Sequence, residues 1–261
     1  MGGLVQPAQK QCLIKMQGIS RDYFCGDNVI RALADINCAI TKGEFIGIMG
    51  PSASGKSTLL NIIGCLDSPT AGQYCLAGKD IKGLSQMEKA SIRNNVFGFV
   101  FQSINLLPML DIAANVALPL KYSSVPKHER KALVSEALKT VGLANLSERY
   151  PDQLSGGQQQ KVAIARALVN QPDVILADEP TGNLDSASGQ SVMEELRKLR
   201  DEFGRTVIVV THDPRVAGYA DRLIRLKDGT IVEDMPIQQM GAMLKNPFAG
   251  LDEGENNGEF L

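Results

Sequence analysis

Short runs of consecutive apolar residues alternate along the chain with stretches whose apolar positions recur at helical spacing. Cys12–Met16, Ile36–Ile40 and Glu44–Ile48 read as β-strands, with Lys42-Gly43 as the turn between the last two. Ser57–Leu66 reads as a largely buried helix and Val96–Phe101 as a further strand. Residues 103–153 change character. Asn115–Leu120 and His128–Val141 read as helices, the second with Ala132, Leu133, Ala137, Leu138 and Val141 at helical spacing. Pro108, Pro119, Pro126 and Pro151 punctuate this stretch, which reads as a small helical insertion. A helix over 156–170, a strand over 173–178, a helix over 186–203, a strand over 206–211 and weaker elements to about 236 follow. Strands alternating with helices predict an α/β fold with a largely parallel sheet.

Composition narrows the classes. The 261 residues correspond to between one and two domains, and 44% hydrophobic content is enough for a sizeable core. Twenty-seven basic and 29 acidic side chains give a net charge of −2, so no electrostatic case for a nucleic-acid partner arises. Apolar runs such as Val174-Ile175-Leu176-Ala177 are far shorter than the about 20 residues that span a bilayer. No apolar signal core opens the chain, which makes the cytosol the expected compartment. The five cysteines form no C-x-x-C pair and read as reduced, small apolar residues. Residues 1–11 and 241–261 are expected to be flexible tails, the latter acidic toward its end.

Three motifs carry chemistry. Gly50-Pro51-Ser52-Ala53-Ser54-Gly55-Lys56-Ser57 fits G-x-x-x-x-G-K-[ST], after a strand and before a helix. Gly50 and Gly55 allow the tight turn that aims backbone N–H groups at phosphate oxygens, Lys56 supplies a point charge, and the Ser57 hydroxyl suits Mg²⁺. Thr58 continues the helix whose N-terminus favours an anion. Second, the strand Val174–Ala177 ends in Asp178-Glu179. Asp178 fits the Mg²⁺ shell, and Glu179 fits a base for the attacking water. Third, Leu154-Ser155-Gly156-Gly157-Gln158 opens a helix with a hydroxyl and two glycines, which suits close approach to an anion or an ordinary N-cap.

With these motifs in order, the chain resembles the ATP-binding subunits of ABC transporters over roughly residues 12–236. The resemblance implies a P-loop NTPase (RecA-like) core with an antiparallel β subdomain and a helical subdomain at about 103–165. It assigns Tyr23, placed ahead of the first strands, to stacking on adenine, and Gln102 to Mg²⁺ and the membrane partner. Asn183-Leu184-Asp185 matches the family's D-loop, and His212 the histidine that contacts the γ-phosphate. It implies a homodimer in which Ser155, Gly156, Gly157 and Gln158 of one copy complete the ATP site of the other. Ile63–Gly72, Phe97–Gln102 and Ala177–Asp185 resemble a bacterial branch of lipoprotein-releasing (LolD-like), macrolide-export (MacB-like) and cell-division (FtsE-like) ATPases. That branch implies a peripheral protein on the cytoplasmic face of the inner membrane. It drives a separate transmembrane permease, with a periplasmic adaptor as a further candidate partner. The alternative function is an FtsE-like signalling ATPase that regulates cell-wall processes without transport. Two positions depart from the family. Ala53 replaces a glycine, harmlessly if its φ is negative. Lys161 replaces an arginine, which matters only if that residue clamps a carboxylate.

Overall fold

A computed structural model describes residues 11–240. The expected tails at 1–11 and 241–261 therefore lie outside the described residues, apart from Gln11. Among the described residues, ten strands form two sheets. One is antiparallel, in the order β2 (Asn28–Thr41), β1 (Cys12–Cys25), β4 (Ala71–Leu76), β5 (Lys79–Asp80). The other runs β10 (Thr230–Pro236), β9 (Arg222–Lys227), β3 (Phe45–Met49), β8 (Thr206–Thr211), β7 (Val174–Asp178), β6 (Phe97–Phe101). Every pairing in this sheet is parallel except that of the edge strand β10.

All of β3 and β8 is buried, because a parallel sheet is covered on both faces. Their side chains sort by alternation. Ile175, Ala177, Val207 and Val209 join the core formed with α3 (Ile112–Ala117), α4 (Lys127–Thr140), α5 (Gly156–Leu168) and α6 (Ser186–Asp201). Val174, Leu176, Ile208 and Val210 face a second core with α1 (Lys56–Ile63) and the antiparallel sheet, including Ile14, Leu33, Ile40, Leu59 and Ile62. The short helix α7 (Pro214–Ala217) packs between β8 and β9 in sequence. No helix among the described residues is long and apolar enough to cross a membrane.

The structure corrects several expected elements. The first strand runs on to Cys25 through register shifts, so it includes Tyr23, which was placed ahead of the strands. Helix α2 (Gln86–Val96) buries none of its residues, so its apolar period is weak. Its only legible signal is the capping box of Ser85 and Glu88. Val96 ends that helix and does not begin a strand. The helix expected over 115–120 starts instead at Ile112, capped by Asp111, and tightens into a 3₁₀ turn at Leu118–Tyr122, which contains Pro119. Asn115 is fully buried inside it. Its side chain donates to the carbonyls of Leu107, Leu110 and Asp111 and accepts from Leu107 N–H, stapling the preceding loop.

Candidate functional site

Four connections leave the C-terminal edge of the parallel sheet side by side, and strand register aligns them. Phe101 pairs with Asp178, and Asp178 with Val210, so Gln102, Glu179 and Thr211-His212 emerge next to one another. The fourth, after β3, is Gly50–Gly55, which leads into α1. Ligands of open α/β sheets bind at this edge.

The loop folds as its residue types require. Gly55 has φ +97°, and a Cβ there would lie 2.6 Å from the Ala32 carbonyl oxygen. A Cβ on Gly50 would lie 2.3 Å from the Leu226 carbonyl oxygen. Lys56 is buried, and its Nζ donates to the carbonyls of Gly50 (2.9 Å) and Pro51 (2.7 Å). Burial pushes its pKa down, while the Glu179 and Asp178 carboxylates oppose that shift. Ser52 and Ala53 are exposed. The Ser54 hydroxyl is buried with no hydrogen-bond partner. No side chain caps α1, whose first turn carries Ser57 and Thr58. Ala53 has φ +63°. The benign reading of this departure required a negative φ and is overturned: the alanine occupies a left-handed position suited to glycine.

Beside the loop, Ser57 Oγ donates to Asp178 Oδ1 at 3.3 Å. Burial raises the Asp178 pKa, and the Ser57 hydrogen bond works against that rise. A hydroxyl and a carboxylate that share one point, below a lysine and an orphaned serine hydroxyl, fit a phosphate-bound divalent cation. Glu179 has φ +46°, and its N–H donates to Val210 O at 2.9 Å. Its Oε1 lies 2.8 Å from His212 Nδ1, which pairs a shielded carboxylate with a largely exposed imidazole. Gln102 is exposed, and its carbonyl accepts from Asn183 Nδ2 at 3.2 Å. A Cβ on Gly182 would lie 2.8 Å from Gln102 Nε2, the free end of an exposed side chain that can move aside.

The other sequence candidates stand apart from this cluster. Tyr23 donates its hydroxyl to Asp67 Oδ2 at 2.8 Å, and the Arg21 guanidinium lies 4.5 Å above its ring. Arg21 also pairs with Asp67 at 2.9 Å. Ser155 caps α5, accepting from Gln158 N–H at 3.3 Å while Gln158 Oε1 accepts from Ser155 N–H at 3.0 Å. A Cβ on Gly157 would lie 2.9 Å from Ser188 Cβ, and one on Gly156 would lie 3.4 Å from Leu184 Cδ2. In this chain the two glycines thus let α5 start against the Leu184 turn and α6. Asp185 caps α6, accepting from Ala187 and Ser188 N–H, and the hydrogen bonds from Ser188 hold its carboxyl below the usual range. Lys161 lies 3.8 Å from Glu195 Oε1, so a carboxylate does face the second departure. The other oxygen, Glu195 Oε2, is buried without a partner.

Asp67, which holds the Tyr23 hydroxyl, lies in the Ile63–Gly72 run that carries the branch resemblance but had no sequence signal of its own as the partner of Tyr23. Gln160 had none either, although its buried amide donates to Phe101 O just before Gln102.

Comparison with known proteins agrees with this geometry. The ABC transporter family model matches residues 33–182. The chain is 48% identical over 238 residues to the macrolide export ATP-binding/permease protein MacB 1/2 of Paracoccus denitrificans, covering 91% of this chain and 35% of that protein. It thus spans about a third of the length of the curated exporters it matches. It is 49% identical over 225 residues to an ABC transporter ATP-binding protein of Methanocaldococcus jannaschii, covering 84% of this chain and 95% of that one. A solved dimer of this archaeal cassette, in a post-hydrolysis state bound to ADP and Pi, superposes with a TM-score of 0.78 at 46% identity, over 86% of this chain and 98% of that chain.

Proposed function

Because the chain belongs to the ABC transporter family, as an ATP-binding cassette with the family's ATPase fold, we propose that it binds and hydrolyses ATP to drive a membrane partner. The observation that carries this reading is the convergence of two pairs, Ser57–Asp178 and Glu179–His212, beside Lys56 at one sheet edge.

Amides 50–56 and the N-terminus of α1 cradle the phosphates, Lys56 offsets their charge, and Tyr23 stacks on the base. Ser57 and Asp178, with Gln102, would hold Mg²⁺, which would neutralise the phosphates and polarise the bond to be broken. Glu179 accepts the proton of the attacking water at one carboxylate oxygen. His212 holds Oε1 and so fixes the orientation of that carboxylate. As the γ-phosphate leaves, its charge develops against Lys56 and His212.

The working unit is a homodimer in which Ser155–Gln158 of each copy close over the nucleotide of the other, with Asp185 at the seam. Support comes from the solved archaeal dimer and from the place of these residues at the N-termini of α5 and α6. Residues 12–236 form the cassette, with a helical part at about 103–165, at the cytoplasmic face of the inner membrane. The membrane partner is a separate permease. That the archaeal ATP-binding protein is matched over 95% of its length supports a permease on its own chain. Export is the favoured direction, since the macrolide exporters are among its relatives at 48% identity, and a periplasmic adaptor completes the proposed assembly.

Glu179→Gln tests the reading. The variant should bind ATP, hydrolyse it at least about 100-fold more slowly, and accumulate as a dimer on size exclusion with ATP. Wild-type turnover in this variant would place the base elsewhere.

A further inference from the structure

The turn between β9 and β10, Lys227-Asp228-Gly229-Thr230, has the Asp-Gly pair of an ordinary hairpin. Its surroundings are less ordinary. Gly229 N–H donates to Ser54 O at 3.1 Å, and Gly229 O accepts from Ala34 N–H at 2.8 Å. Gly229 has φ +74°, and a Cβ there would lie 2.7 Å from Ala32 O and 3.1 Å from Leu33 Cα. The same Ala32 oxygen lies 2.6 Å from where a Cβ on Gly55 would be, and that Cβ would lie 3.6 Å from Gly229 Cα. One carbonyl of β2 is thus wedged between a glycine of the hairpin turn and a glycine of the phosphate loop.

We propose that Gly229 is a positioning residue for the phosphate loop: the bare backbone of the β9–β10 turn sets where Ser54, Gly55 and Lys56 sit. This rests on the reading of residues 50–57 as the ATP cradle. The contacts are backbone against backbone, so no flexible side chain is present to yield. A Cβ at 229 must either drive the Ala32 carbonyl toward Gly55 or lift the turn off Ser54 O. Both movements shift the amides that receive phosphate oxygens, and binding geometry tolerates little displacement.

The molecule supplies its own control. In the β4–β5 turn, Ala77 (φ +48°) and Gly78 (φ +80°) repeat the backbone of Asp228 (φ +48°) and Gly229 (φ +74°). A Cβ on Gly78, however, meets nothing within 4 Å. Asparagine tolerates the left-handed region better than other residues with a Cβ, so Gly229→Asn and Gly78→Asn both adopt the turn while only the first adds the collision. Two readouts are used on the full chain: ATP affinity by calorimetry, and amide hydrogen exchange across residues 50–56 without nucleotide. Gly229→Asn should weaken ATP binding by about tenfold or more and speed exchange in the loop, while Gly78→Asn matches wild type in both. Equal affinity and equal loop exchange in the two variants would overturn the proposal. A wild-type chain that binds no ATP would instead sink the functional reading. The exchange comparison would still decide the contact between turn and loop.

Discussion

Ala53 shows how a single dihedral decides the sign of a substitution. It is exposed at φ +63°, so its methyl has the left-handed penalty without buried packing to offset it. Ala53→Gly relieves about 1–2 kcal/mol in the folded chain. It also adds about 0.4–1 kcal/mol of unfolded-state entropy that folding must remove. The net expectation is a gain of up to about 1.6 kcal/mol, seen as a higher urea midpoint at unchanged slope. A lower midpoint would show that the loop favours the alanine. At this scale the sequence was legible wherever chemistry demands a residue type. Lys56 and Ser57 stand out in the G-x-x-x-x-G-K-S pattern and Asp178 and Glu179 at the end of an apolar run, whereas His212 is marked only by the family resemblance. Backbone angles were not legible: nothing in the string Pro51-Ser52-Ala53-Ser54 states that the third residue turns left-handed.

Between elements, the seam of α5 and α6 combines close packing with an incomplete ion pair. Gly157 lets the helices meet at Ser188. Further along, Lys161 reaches only one oxygen of Glu195, at 3.8 Å, and leaves the other unbonded. A guanidinium presents two parallel donors where an ammonium presents a point charge. Lys161→Arg should therefore raise stability by about 1 kcal/mol, read from thermal unfolding with Glu195→Gln as the second edge of a double-mutant cycle. Equal effects of the arginine in both backgrounds would show that Glu195 is not its partner. Elements were legible in proportion to burial. Strands β7 and β8, covered on both faces, appear as unbroken apolar runs and were found within a residue of their observed ends. Helix α2, which only half-buries Ile92 and Val96 against the core, left only its Ser85–Glu88 cap as a trace. The Asn115 helix was misplaced because a buried asparagine that serves loop carbonyls looks, in sequence, like a helix start.

Across the whole molecule, α6 is tied to the central sheet by charge. Arg197 donates to Tyr219 O and Asp221 Oδ1, and Arg200 pairs with Asp201 and Asp221. Asp221 in turn accepts from Phe45 N–H at the start of β3. Hydrogen bonds from Arg200 and then Arg197 hold the Asp201 carboxyl below its usual range. Arg215 does the same for Asp213. Depressed carboxyl pKa values contribute stability that is fully present above the ordinary aspartate range, near about pH 4. It is lost as pH falls through the lowered values. Urea midpoints measured from neutral to acid pH should thus hold steady and then drop. Asp201→Asn should make that drop shallower, and an unchanged acid limb would remove Asp201 from the account. The ties of Asp221 to Arg197, Arg200 and Phe45 were not visible in a linear string, because the fold creates their proximity, whereas Arg200–Asp201 and Arg215–Asp213 join sequence neighbours.

The side-by-side register of β6, β7 and β8 constrains how such a chain can diverge. Because successive side chains of a strand point to opposite faces, deleting one residue within Val174–Ala177 would turn Asp178 away from the face on which it meets Ser57. Exchanging isoleucine for valine along these strands costs only about 0.5–1.5 kcal/mol, yet a gap or an extra residue there would separate Asp178 from Ser57. Spelling in these segments is free to drift, while their length is not.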